Sequence, residues 1–94
     1  MLHTLINSPF KSNLILLKSI INAKDDFIAL QDGVLISLKN NYFFKDFFFK
    51  KKYVLLNDLQ ARGISSSIIS ESFFPIDYEY FVYLTEIHSQ QVIW

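Results

Sequence analysis

Short apolar runs alternate with amphipathic segments along this chain. Residues 2–6 (LHTLI) mix Leu, Thr and Ile in a run ended by Asn7, which predicts a buried strand. Ser8 and Pro9 come next as a helix N-cap and a first helical residue, where the missing N–H of proline costs nothing. In FKSNLILLKSIINA, Phe10, Leu14, Leu17 and Ile21 recur on one face at helical spacing, with Lys11, Ser12, Lys18 and Asn22 elsewhere. AKDD then turns the chain into a second apolar run at 27–30. Gly33, in QDGVLISLKNN, stands at the carboxyl end of that strand, where a backbone turn needs positive φ or a close neighbour. The residues after it fit a short helix or an extended piece.

In YFFKDFFFKKKYVLL, Phe43, Phe44, Phe47 and Phe48 have helical spacing, and lysines gather at the end where the helix dipole favours cations. Residues 53–56 predict a third strand. NDLQARG predicts a helical turn or two, begun by Asn57 or Asp58 and stopped by Gly63 at the C-cap. After the polar ISSSIISES, a fourth strand is expected at 73–76, with Pro75 placing it at an edge or a strand end. Asp77 caps a last helix in which Phe81, Leu84, Thr85 and His88 share a face, and QVIW closes as a fifth strand. Strands alternating with helices over short links predict an α/β layered domain with a mainly parallel sheet. The 94 residues are expected to form one domain, spanning 1–94, near the lower limit for an unaided core.

Composition changes this picture in one respect. Hydrophobic residues make up 51% and aromatic residues 17%, and ten Phe with five Tyr are more than so small a sphere readily covers. Either a bias toward Phe, Ile, Lys and Asn or apolar surface reserved for partner subunits accounts for the excess. Nine acidic and nine basic residues cancel, which argues against the counterion displacement that bulk nucleic-acid binding needs. No cysteine is present, so disulfides, thiolate metal sites and a persulfide-bearing thiol are excluded. The opening MLHTLINSPFKSN is not patterned as a signal peptide, and no apolar run approaches the roughly 20 residues of a membrane span. A soluble cytoplasmic protein is the expectation.

Candidate chemistry is sparse. Arg62 is the only arginine and lies four residues after Asp58, the favourable order for a helical ion pair; its planar fork is also suited to gripping a carbonyl group or a partner chain. His3, His88 and Asp32 can be imagined as bases and an orienting acid, but no nucleophile or metal-ligand spacing accompanies them. His3 within an apolar strand reads as a hydrogen-bonded core residue, and Asp32 beside Gly33 as a turn former. FFKDFFFKKK suits a core or interface helix, or alternatively a membrane surface. Trp94 is read as an interface anchor in preference to a core plug.

These pieces also carry a resemblance. MLHTL with SP soon after, the central LQDGV, LNDLQARG, and IDYEYFVYLT with a later His and a terminal Trp occur in order from Met1 to Trp94. Together they resemble the TusB family, related to the DsrH proteins. The resemblance implies a small DsrE/F/H-type α/β domain built on a five-stranded sheet. It implies assembly with TusC and TusD chains into a cytoplasmic heterohexamer that relays persulfide sulfur from TusA to TusE, toward 2-thiouridine at the tRNA wobble position. TusB is the member not expected to carry the sulfur, in agreement with the missing thiol. The implied role is structural and interfacial, with no catalytic, metal or cofactor site and no direct nucleic-acid or membrane contact. Gln31, Asp32, Gly33, Arg62, Gly63 and Trp94 are its candidate interface or structural residues. The alternatives are a small interaction or peripheral membrane module, or a His/Asp enzyme.

Overall fold

The structure, a computed structural model, describes residues 1–39 and 51–94. Five strands, β1 (Leu2–Leu5), β2 (Asp26–Ala29), β3 (Lys51–Leu55), β4 (Phe73–Ile76) and β5 (Gln91–Ile93), form one parallel sheet in the order β4-β3-β2-β1-β5. Among the described residues three helices, α1 (Leu14–Ile20), α2 (Leu56–Ala61) and α3 (Tyr78–Ile87), accompany it, with 3-10 segments at Gln31–Ser37 and Ser66–Ile68. The α/β class and the five strands are those expected. The predicted phenylalanine helix at 43–48 falls outside the described residues.

Topology sets the layers. From β1 to β4 each strand is laid beside the last in one direction, so right-handed crossovers place α1, the Gln31–Ser37 segment and α2 on one face. The step from β4 to β5 runs back across the whole sheet and puts α3 on the other face. Strand alternation divides the core accordingly. Leu5, Phe27, Val54 and Phe73 pack with Leu14, Leu17 and Leu59 on the first face, whereas Leu2, Ile28 and Tyr53 pack with Leu84 on the second. Pro75 lies in β4, an edge strand, where its missing N–H breaks no ladder.

Two helix starts differ from expectation. Ser8 and Pro9 belong to a turn, with the Lys11 amide and the Ser12 hydroxyl both donating to the Ser8 carbonyl. The N-cap of α1 is Asn13, whose Oδ1 accepts from the Leu16 amide at 3.0 Å. Phe10 therefore precedes the helix and is 77% exposed instead of joining its buried face. α2 begins at Leu56, directly from β3, and has no side-chain cap because its N-cap residue is Leu55, whose side chain carries no polar atom. Asn57 and Asp58 lie inside the helix, and the Asp58 carboxylate accepts from the Gln31 amide. Asp77 does cap α3, accepting from the Tyr80 amide at 2.8 Å.

Candidate functional site

At the carboxyl edge of the sheet, residues distant in sequence converge. The chain leaves β2 and turns sharply at Gln31, which adopts φ 51°, and its amide donates to Asp58 Oδ2 at 2.6 Å. Asp32 lies in the first turn of the 3-10 segment, and its Oδ1 accepts from Arg62 Nη2 at 3.0 Å and Nε at 3.2 Å. Arg62 Nη1 also donates to the main-chain oxygen of Asp58 at 3.3 Å. The guanidinium is thus paired with Asp32 and not with the Asp58 carboxylate, which the Gln31 amide has already taken. Asp32 correspondingly acts through this cross-link instead of bonding amides of its own turn. With the two side chains 30% and 67% exposed, the ion pair is strongly screened.

The two glycines serve this edge in different ways. A Cβ on Gly33 would overlap the carbonyl of Leu5 at the end of β1, so close approach and not positive φ demands glycine there. Gly63 has φ 67° and follows the C-cap Arg62. Its amide bonds the Gln60 carbonyl and that of Ile64 bonds the Leu59 carbonyl, the paired bonds of a Schellman motif. Gln31, Asp32, Gly33, Arg62 and Gly63 are therefore brought together. Trp94 is not among them: half-buried, it packs against the first-face core beside β1. Its Nε1 donates to His3 Nδ1 at 3.2 Å.

The amino edge holds the chemistry that sequence reasoning missed. Asp25 and Asp26 are consecutive at the start of β2, so their carboxylates point to opposite faces, and each meets a histidine. His3, fully buried, places Nε2 2.9 Å from Asp25 Oδ2. Because Trp94 Nε1–H only donates, Nδ1 of His3 is the acceptor and Nε2 carries the proton toward Asp25. Asp25 also accepts from the amine of Met1 at 3.1 Å and the Asn22 amide at 3.0 Å. Burial on its own would raise this carboxyl; the His3, Met1 and Asn22 bonds outweigh it and hold it below the ordinary value of 3.8.

On the other face His88, the C-cap of α3, places Nε2 2.8 Å from Asp26 Oδ2 and ties the end of that helix to β2. Asp26 Oδ1 is buried and has no hydrogen-bond partner among the described residues. The imagined combination of Asp32 with His3 or His88 is not formed. Asp32 lies past the far end of β2, about 13 Å of strand away at 3.3 Å per residue, and the two histidines are separated by the sheet. Among the described residues no cluster of three or more metal-ligating side chains occurs.

The α3 face is aromatic and half covered. Tyr53 contacts Phe74 and Tyr80 at centroid distances of 6.3 and 5.6 Å, and Tyr80 continues to Tyr83 at 5.6 Å. Burial, aided by the neighbouring Tyr80 hydroxyl, pushes the Tyr53 phenol well above its usual range. Only Leu84 of α3 is buried. No helix among the described residues is long and apolar enough to cross a membrane.

Comparison with known proteins places this geometry. Residues 7–91 match the family described as DsrH like protein. The chain is 48% identical to Protein TusB of Buchnera aphidicola subsp. Acyrthosiphon pisum (strain 5A), over the full length of both. Its fold is similar to that of protein MTH1491, of unknown function, from Methanobacterium thermoautotrophicum. The TM-score is 0.73 at 14% identity, covering 98% of this chain and 96% of that one. The solution structure of protein Tm0979 from Thermotoga maritima is similar at TM-score 0.67 and 24% identity, covering 92% of each chain.

Proposed function

The chain belongs to the DsrH-like family, and to its TusB members; from this membership we propose that it is a non-catalytic subunit of a cytoplasmic sulfur-relay complex. In this reading it assembles with TusC and TusD chains into a heterohexamer that passes persulfide sulfur from TusA to TusE for 2-thiolation of the tRNA wobble uridine. The observation that carries the non-catalytic part is the absence of any cysteine. Sulfur relay proceeds by thiolate attack on a sulfane sulfur, and a chain without a thiol neither accepts nor donates it.

The geometry supports the same division of labour. Arg62, Asp32 and Gln31 cross-link loops, both histidines are held by carboxylates, and none has a nucleophile beside it among the described residues. Exposed apolar side chains such as Phe74, Tyr78 and Tyr83 suit contact with other subunits. Co-expression with TusC and TusD chains, followed by size-exclusion chromatography with light scattering, tests the reading. One stable peak holding all three supports it; TusC and TusD assembling while this chain elutes soluble and alone overturns it.

A further inference from the structure

The charge that cancels over the whole chain is separated along it. From Gly63 to Trp94 there is no Lys or Arg, whereas Glu71, Asp77, Glu79 and Glu86 all lie there, so this part carries −4. The nine basic residues all precede Gly63, against five acidic ones, and leave +4. On α3, Glu79 and Glu86 are seven residues apart and share the outward face. Tyr78, Val82 and Tyr83 accompany them, 60%, 38% and 50% exposed. This is an acidic aromatic surface.

The opposite side of the sheet presents the converse. Ile15 and Leu16 on α1 are 84% and 47% exposed, and Phe10 lies in the turn just before that helix. Phe10, Ile15 and Lys18 line a groove of about 380 Å³. Lys11 is exposed at its side, Lys24 is exposed beyond the helix, and no acidic residue precedes Asp25. The two apolar surfaces therefore have opposite charge, and the sheet between them keeps them from meeting within one molecule.

We propose that the α3 face of one copy, centred on Tyr83 between Glu79 and Glu86, docks onto the Phe10 and Ile15 face of a second copy. Apolar and aromatic contact supplies the area, while carboxylates and ammonium groups at the margin select the pairing and its orientation. Since different patches meet, the contact is heterologous. Each added copy leaves one face of each kind open, and association continues until a ring closes or a filament grows. This concerns the chain by itself and stands apart from the sulfur-relay reading.

The test is sedimentation velocity on the purified chain alone, over a concentration series at low and high salt. The mass is expected to exceed that of one chain, to rise with concentration and to fall as salt is raised. A variant combining Glu79→Lys with Glu86→Lys, and another combining Lys11→Glu with Lys24→Glu, are each expected to associate at least about tenfold more weakly, like charges then being opposed. Mixing the two restores association, because every α3 face then meets an oppositely charged α1 face on the other variant. A wild-type chain that is monomeric throughout overturns the proposal. So do folded variants, judged by circular dichroism, that associate as strongly as wild type, or a mixture no more associated than its components. No TusC or TusD is present in this experiment, so its failure leaves the sulfur-relay reading to its own test.

Discussion

Gly33 lies against the carbonyl of Leu5 with no room for a side chain between them: a Cβ there would stand 2.8 Å from the carbonyl carbon and closer still to its oxygen. That oxygen also accepts the Leu30 amide at 2.9 Å, so it cannot tilt aside without loosening the exit from β2. Gly33→Ala is expected to destabilise the fold by about 1–3 kcal/mol, the cost of overpacking a tight site. Gly63→Ala should cost about 1–2 kcal/mol for a different reason, the left-handed backbone, since nothing lies within 4 Å of its Cβ position. Asparagine, which tolerates that backbone, separates the causes. Urea unfolding should show Gly63→Asn milder than Gly63→Ala, and Gly33→Asn no milder than Gly33→Ala. An unperturbed Gly33→Ala would refute the close-packing account.

The Arg62–Asp32 pair predicts a small number. Both partners face water, and exposed pairs typically couple by no more than about 1 kcal/mol. A double-mutant cycle with Arg62→Ala and Asp32→Ala should give a coupling in that range that weakens in salt. Arg62→Lys should retain only part of it, because Nε and Nη2 both donate to Asp32 while Nη1 reaches the Asp58 carbonyl, and lysine has no such fork. A coupling of several kcal/mol, insensitive to salt, would contradict the exposed geometry.

The features legible in the sequence were local. The apolar runs marked the five strands to within a residue or two, and Asp77 marked the start of α3, because these signals lie within a few residues of what they determine. Asp26 begins β2, yet its charge made it look like part of the preceding turn. Asp58 has the right spacing to pair with Arg62 on a helix, but its carboxylate is captured by an amide 27 residues away. The histidine pairings span 22 and 62 residues and arise from strand register and crossover, which spacing along the chain does not reveal. Gly33 and Gly63 were legible as positions needing glycine, while the cause at each required the neighbouring strand.

His88 offers a test of how α3 is held. Leu84 is the only buried residue of that helix, so the 2.8 Å bond from His88 to Asp26 is its main polar tie at the carboxyl end. His88→Ala would leave both oxygens of a buried carboxylate without a partner, at a cost of about 1–3 kcal/mol or more. Hydrogen exchange should then accelerate in the last turn of α3 more than in α2, which this bond does not touch. Equal acceleration in both helices would mean that His88 contributes to global stability and does not fasten α3 in particular.

Acid should act on the amino edge through Asp25. Burial favours its protonated form, but bonds from His3, the Met1 amine and the Asn22 amide prevail, so its folded-state value lies below 3.8. A carboxyl lowered in this way holds its proton more tightly in the unfolded chain. Its contribution to stability is therefore complete above the unfolded value and is lost as pH falls through the folded one. Unfolding free energy measured in urea between about pH 7 and pH 3 should accordingly decline below roughly pH 4. Asp25→Asn should be less stable than wild type near neutrality by about 1–3 kcal/mol, since one amide oxygen cannot replace a carboxylate that accepts from three donors. The variant should also lose less on acidification, so the two curves converge toward low pH. Parallel curves down to pH 3 would show that Asp25 titrates alike in the folded and unfolded chain, and that the buried His3 bond does not depend on its charge.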